Sequence, residues 1–501
     1  MGDPLHRRDE LERALELAAA EARAYLEGLA EDPVQPPGSA ALLEGAGGGD
    51  GRMHGAAALG SDSALGSDLP LRGDGALSAI TELARLGRQA ATRSSGPRFF
   101  HFVIGGATPA ALAADWLTSA LDQNAAAWVA SPFGTRLEQV AIDWLRQLFR
   151  LPPEFGGVLV TGGTMANFTC LAAAREWCAE RAGFNAAEEG LSGAPQIPVL
   201  TSGYVHASAM KSLALLGIGR AGVHKLTRDA RGRLDLHALA DRLASLDGGP
   251  AIVIANAGEV NAGDFDPIED IAELAERHAA WLHVDGAFGL FARLSPRTAA
   301  LTAGTERASS VSSDGHKWLN VPHDCGFAFV REDRWRRGAF SEQADYLPPL
   351  DSPRPVFAYH APEGSRRARA LTVWATLRAY GAQGYRAMVE RHLDVTAHLA
   401  RRIDSEPAFE RLAEAPLNIV CFRWRPRGVS EEDRLDDLNR RLGEALLEDG
   451  RVFAGTTLFE GRVAFRPAIV NWQTRADDAD LLVDVLLELG ARLLEGEPAP
   501  A

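Results

Sequence analysis

From about Phe99 onward, short runs of β-branched and aromatic residues alternate with longer stretches of helical periodicity. This alternation constrains the chain more than any other feature, because it is the pattern of βαβ units wound around a mostly parallel sheet. Strand-length runs occupy 157–161, 198–201, 251–255, 281–285, 309–312 and 327–330, with helical patterns between several of them, as over 166–181 and 268–280. Past about Ala379 the pattern changes to a long helix through Ile403, short strands near 418–424 and 462–471, and a last helix over 477–494. A chain of 501 residues exceeds the roughly 250–300 residues at which one core stops growing. The expected division is an N-terminal helical segment (1–95), a large α/β domain with a mostly parallel sheet (96–379) and a small C-terminal α+β domain (380–501). The first segment opens with an amphipathic helix over 11–29, carried by Leu11, Leu15, Ala18, Ala22, Tyr25, Leu26 and Leu29. A Gly-, Ala-, Ser- and Asp-rich stretch, 36–71, follows and reads as a linker too poor in apolar surface to order itself.

Acidic residues (67) outnumber Lys plus Arg (52), giving a formal charge of −15. Such a field repels nucleic acid and anionic membrane surfaces, so a small-molecule partner is expected. No signal-peptide core and no run of about 18 apolar residues is present, which predicts a cytoplasmic protein with no membrane partner. Cys170, Cys178, Cys325 and Cys421 show no metal-ligand spacing and read as buried free thiols; no metal site is expected.

In an open parallel sheet, ligands bind beyond the C-terminal ends of the strands. After the first run comes Thr161-Gly162-Gly163-Thr164-Met165-Ala166-Asn167, a glycine turn that aims backbone N–H groups and a helix dipole at an anion, with the Thr164 hydroxyl beside them. Taken alone, such a turn is common. Beyond Thr201 stands His206, which by itself reads more readily as a structural imidazole. The run 281–285 ends in Asp285, a catalytic carboxylate or a turn cap, followed by Gly286-Ala287-Phe288, small enough for a flat ring to approach. The most specific motif is Ser312-Ser313-Asp314-Gly315-His316-Lys317-Trp318. A lysine among apolar neighbours is costly to bury as an ammonium, so Lys317 is either solvated or unusually ready to lose its proton and attack a carbonyl. A protonated His316 beside it would act in the same direction. An anion-binding turn, an imidazole, a carboxylate and this lysine all fall at one sheet edge.

Val284-Asp285-Gly286-Ala287-Phe288, followed about thirty residues on by Asp314-Gly315-His316-Lys317-Trp318, resembles the pyridoxal 5′-phosphate-dependent group II decarboxylases, the family of aromatic amino acid, histidine and glutamate decarboxylases. The likeness extends to 131–138, to 365–371 and to the opening helix, and covers nearly the whole chain outside the linker. It implies the fold type I, aspartate aminotransferase-like architecture, pyridoxal 5′-phosphate as cofactor, a homodimer, and conversion of an L-amino acid to its amine and carbon dioxide. It makes Lys317 the Schiff-base lysine, Asp285 the partner of the pyridinium nitrogen and His206 the ring stacked on the cofactor. Gly163, Thr164 and Asp314 match positions around the phosphate, while Ala287 packs on the ring and His316 adjoins the lysine. A loop tyrosine that returns a proton to substrate is expected to be Tyr359, on a mobile lid over 351–364, with Tyr346, which precedes that segment, second. Two features depart from the aromatic-specific members. Val103-Ile104-Gly105-Gly106 and Ala125-Ala126-Ala127 stand where those carry bulky aromatics, which suits another side chain, and Glu259 falls in a turn that is threonine-rich in animal members. Other outcomes on the same framework are aldehyde-forming oxidative decarboxylation, another carbon–carbon lysis, and a non-catalytic scaffold, the last poorly matched by the presence of both Asp285 and Lys317.

Overall fold

The computed structural model describes residues 9–44 and 69–495. Three helices come first: α1 (Asp9–Gly28), α2 (Ser39–Glu44) and α3 (Ala76–Ala90). α2 lies inside the stretch read as a linker and corrects that reading for its six residues, since its Ala-Ala-Leu-Leu core favours helix; residues 45–68 lie outside the described residues. Helices α4 (Pro109–Leu121) and α5 (Pro132–Leu148) lead into the sheet, each started by a proline in its first turn.

The large sheet is built from β1 (Gly156–Val160), β2 (Val199–Thr201), β3 (Val223–Lys225), β4 (Ile252–Asn256), β5 (Trp281–Asp285), β6 (Ser310–Asp314) and β7 (Gly326–Val330), in the order β1-β7-β6-β5-β4-β2-β3. β7 runs antiparallel to β1 and β6, and the remaining pairs are parallel. Helices α6 (Gly163–Arg181), α7 (Ala186–Glu189), α8 (Ala207–Leu215), α9 (Leu236–Ala244), α10 (Ile268–Arg277) and α11 (Asp333–Phe340) complete this layer structure. Every residue of β4, β5, β6 and β7 is buried, which is why these strands read as near-continuous apolar runs rather than as alternating patterns.

Helix α12 (Ala370–Ser405) begins nine residues before the sequence reading placed it and kinks at Gly381, whose φ of 60° and ψ of −179° leave the helical region. A second, antiparallel sheet follows, β10-β11-β9-β8, formed by β8 (Phe409–Arg411), β9 (Phe422–Trp424), β10 (Thr456–Phe459) and β11 (Arg462–Phe465). Helices α13 (Glu432–Asp449) and α14 (Ala476–Glu495) cover it. Leu399, Phe422, Trp424, Leu442, Phe465 and Leu486 form a core of their own, separate from the one around the large sheet. Residues 95–108 are bonded to both layers. Phe100 N donates to Phe453 O (2.8 Å) and Ala468 N to Phe100 O (2.9 Å), while Gly105 N donates to His316 O (3.2 Å) and Thr108 N to Asn320 O (3.0 Å).

Candidate active site

The C-terminal ends of β1, β2, β4, β5 and β6 meet in a cavity of about 380 Å³. All eight residues expected around a cofactor line it: Gly163, Thr164, His206, Asp285, Ala287, Asp314, His316 and Lys317. Lys317 stands in a five-residue π-type turn, Gly315–Leu319, at a φ of −92° and ψ of −108° that no helix uses; wide turns of this kind recur at functional sites. Neighbours hold the turn firmly. Asn320 Nδ2 donates to Trp318 O and Val470 O, each at 2.9 Å, and the buried Trp318 donates its indole N–H to His392 Nδ1 at 2.8 Å. A Cβ on Gly105 would sit 1.8 Å from the Lys317 carbonyl oxygen, so only glycine permits that segment to press on the lysine.

Lys317 Nζ lies 3.2 Å from Asp314 Oδ2, which gives the ammonium a counter-charge in place of the apolar surroundings that its sequence neighbours suggested. The other oxygen, Asp314 Oδ1, is buried without a hydrogen bond and lies 3.6 Å from His316 Nε2. Helix α6 starts at Gly163 with no side-chain cap, so the first-turn N–H groups are free to meet an anion. Asp285 accepts from Asn167 Nδ2 at 2.8 Å and from Ala287 N at 3.2 Å.

His206 caps α8, and its Nδ1 receives the Ser208 backbone N–H (3.2 Å) and contacts the Ser208 hydroxyl (2.7 Å). That arrangement leaves the imidazole proton on Nε2. Burial lowers its pKa from the usual histidine value, against the pull of Asp285, which favours the neutral ring. An uncapped helix N-terminus, a primary amine, an imidazole and a carboxylate with lone pairs to spare suit a flat ring that carries a phosphate, an aldehyde and a basic nitrogen.

Several residues in or just behind the lining had no role assigned from sequence. Asn167 lies inside the quoted glycine-turn motif, but its amide gave no sign of its partners. Arg466 arrives from just after β11, and its Nη1 donates to Val260 O at 3.0 Å. Burial lowers its pKa, opposed by Glu259. Glu259 is buried and receives the N–H groups of Asn261 (2.7 Å) and Ala262, so its oxygens cap their own turn, and burial raises its pKa. Tyr204, Phe102 and Val103 complete the wall. Tyr359 is the correction: it does not line this cavity. Its side chain packs with Ala127, Val356, Leu347 and Leu350, its hydroxyl donates to Pro348 O, and a short 3₁₀ turn, Phe357–Tyr359, occupies the middle of the expected lid. Tyr346, 87% exposed, does not line it either.

The family model for the pyridoxal-dependent decarboxylase conserved domain matches residues 64–425. L-2,4-diaminobutyrate decarboxylase of Rhizobium meliloti (strain 1021) is 33% identical over 436 residues, 85% of this chain and 84% of the relative. Aromatic-L-amino-acid decarboxylase of Bacillus atrophaeus is 28% identical over 408 residues, 80% and 82% of the two chains. Among solved structures, Oryza sativa TDC with PLP and tryptamine superposes with a TM-score of 0.85 at 24% identity, over 98% of this chain and 100% of that one, a likeness of fold.

Proposed function

The chain belongs to the pyridoxal-dependent decarboxylase family and is a pyridoxal 5′-phosphate-dependent amino-acid carboxy-lyase, and we propose that Lys317 is the amine that attaches the cofactor and Asp285 the carboxylate that faces its ring nitrogen. The observation that carries this assignment is the gathering of Lys317, Asp285, His206 and the uncapped start of α6 around one cavity. When bound, the cofactor supplies an electron sink for the pair left behind as carbon dioxide departs.

The protein's own groups do the rest. Asp285, held by Asn167 and Ala287 N–H, favours a protonated ring nitrogen. Gly163 and Thr164 present the first-turn amides of α6 to the phosphate. His206 offers its flat face and an Nε2 proton, and Ala287 leaves room for the ring. Asp314 holds the Lys317 ammonium in place.

Glu259 and Arg466 both face the cavity, whose wall also carries Phe102, Val103, Tyr204 and Phe288. We take these charges to favour a polar or charged amino-acid side chain over an indole or phenol. The loop proton donor in this reading is the exposed Tyr346 rather than the buried Tyr359. Apolar side chains left open at Trp116, Leu117, Leu121, Val129 and Phe133 support a homodimer, testable by sedimentation. No described helix is long and apolar enough to cross a membrane, which accords with a cytoplasmic location. The kink at Gly381 supports the boundary near residue 380 between the large and small domains.

Lys317→Ala tests the central assignment. The variant is expected to lose the borohydride-reducible link to the cofactor and to slow turnover by about 10³-fold or more, with amine, aldehyde and carbon dioxide assayed across a panel of amino acids. A reducible link and wild-type turnover in Lys317→Ala would overturn it, and an aromatic amino acid as best substrate would overturn the reading of the pocket.

A further inference from the structure

Asp285 reaches the cavity from the end of β5, and behind it a line of uncharged, buried side chains runs back through the sheet. Trp281, His283 and Asp285 alternate along one face of β5, while Ser310 and Ser312 stand opposite His283 and Asp285 on β6. The contacts between them are short. Trp281 Nε1 donates to Ser310 Oγ (2.9 Å), Ser310 Oγ meets His283 Nδ1 (2.9 Å), His283 Nε2 meets Asn167 Oδ1 (2.9 Å), and Asn167 Nδ2 donates to Asp285 Oδ2 (2.8 Å).

The direction of each bond is forced from the carboxylate end. A carboxylate only accepts, so Asn167 must turn its NH₂ to Asp285. Its carbonyl oxygen then faces His283 Nε2 and the Ser312 hydroxyl (2.6 Å), and both must donate. With its proton on Nε2, His283 accepts at Nδ1 from the Ser310 hydroxyl, whose lone pair takes the Trp281 N–H. His283, Ser310 and Asn167 have no exposed surface, and burial holds the His283 pKa at about 4, so the ring is neutral. The second Asn167 amide hydrogen goes to Ser208 Oγ (3.1 Å), and that hydroxyl in turn serves His206 Nδ1. Every polar bond of the Asn167 amide is therefore used, and each donor in the line points toward Asp285.

We propose that His283 is a positioning residue that anchors the Asn167 amide and, through it, holds the Asp285 carboxylate in place, so that the ring nitrogen of the bound cofactor keeps its proton. This rests on the assignment of Asp285 made above. Without His283, only Ser312 holds the Asn167 carbonyl. The amide, with one partner fewer, then holds the carboxylate less firmly. Other titratable groups near Asp285 are Cys170 on α6, His206 at the head of α8, and Lys317 and Asp314 in the turn after β6. None of these touches the buried side of the amide.

The test compares binding of pyridoxal 5′-phosphate with that of an analogue carrying carbon in place of the ring nitrogen. A charge-assisted bond to that nitrogen predicts that wild-type protein prefers the natural cofactor by about tenfold or more. His283→Phe is expected to bind the analogue within about twofold of wild type while losing the preference. His283→Gln, which keeps a donor and an acceptor, retains it. Bound ¹⁵N-labelled cofactor should show a protonated ring nitrogen in wild type and His283→Gln and an unprotonated one in His283→Phe. Should His283→Phe not fold, Asn167→Ser severs the same line nearer Asp285 and loses the preference as well. Equal weakening of cofactor and analogue, or a ring nitrogen still protonated in His283→Phe, overturns the proposal. Asp285→Asn separates the two levels of the reading. If it loses the preference and His283→Phe does not, only the role of His283 fails, and if it keeps the preference the assignment of Asp285 fails with it.

Discussion

Removing the guanidinium of Arg366 should cost stability in a way that depends strongly on pH. Arg366 and Glu138 are each 1% exposed and meet as a fork, Nη1 to Oε2 at 3.0 Å and Nη2 to Oε1 at 2.6 Å. Arg366 also donates to Ala125 O and Leu159 O, while Leu159 N donates back to Glu138 Oε1. In Arg366→Met the glutamate would be left in the core with one backbone N–H, and breaking a buried pair in this manner costs about 3–5 kcal/mol. The cost has a ceiling, because a stranded carboxylate takes up a proton instead. Protonating a glutamate of ordinary acidity costs about 4 kcal/mol at pH 7 and about 1 kcal/mol at pH 5. Arg366→Met should therefore lose about 4 kcal/mol at pH 7 but only about 1 kcal/mol at pH 5 from this source. Glu138→Met/Arg366→Met, with no charge to strand, should show little pH dependence in its difference from wild type. Urea unfolding followed by tryptophan fluorescence at the two pH values measures both. An equal loss at pH 5 and pH 7 would show that the stranded charge is not what the variant suffers from. The pair also bears on the site, since it fixes β1, and the glycine turn at the end of β1 forms the start of α6.

Tyr346→Phe should leave carbon dioxide release measurable while lowering amine yield about tenfold or more and raising aldehyde. Tyr359→Phe should instead leave the product ratio unchanged and cost about 1 kcal/mol of stability through its lost bond to Pro348 O; wild-type amine release from Tyr346→Phe would remove that residue from the reaction. Acidification should destabilise the fold. Burial lowers His101 and His283 to about 4 and His392 to about 3, so each stays neutral in the native state while the unfolded chain takes up protons below about 6.5, and their stability is lost as pH falls from there toward 4. Asp266, raised by burial to about 6, acts oppositely, losing stability as pH rises from about 4 to 6. Together these four groups predict a net uptake of about two protons on unfolding near pH 5, or about 2–3 kcal/mol per pH unit. Unfolding free energies that stay flat between pH 5 and pH 6.5 would contradict this.

The elements that sequence reading located well were those whose own side chains decide their state. β5 ends at Asp285 as its apolar run predicts, and α14 lies within a residue of its expected limits at both ends. β3, β8 and β10 were not legible. Each has only three or four residues, β10 leaves Thr456 and Leu458 exposed, and all are strands because a neighbour offers hydrogen bonds rather than because of their own pattern. The site divides in the same way. Residues just after large-sheet strands could be found by combining the strand pattern with the rule for sheet edges. Arg466 could not, because it comes from the second sheet and local sequence does not encode which lobe packs over a cavity. Tyr359 misled for a related reason: proline spacing predicts a loop but not whether its aromatic side chain faces solvent or a small apolar cluster.

Residues 95–108 set the recombination boundaries of this protein. The small lobe holds them through Phe453, Ala468 and Asn471, whose Nδ2 donates to Ser95 O and Gly96 O, and the lysine turn holds them through His316 and Asn320. They are distant in sequence from both partners, so a chimera that exchanges only residues 380–501 with a relative would join a foreign lobe to a native seam. Its mismatches would fall on Ser95, Gly96 and Phe100, a few residues before Gly105, which lies against the carbonyl of Lys317. A graft that carries residues 95–108 together with the small lobe moves the boundary to the lysine turn, where the bonds from Gly105 N and Thr108 N go to backbone oxygens and so do not depend on which side chains the recipient supplies.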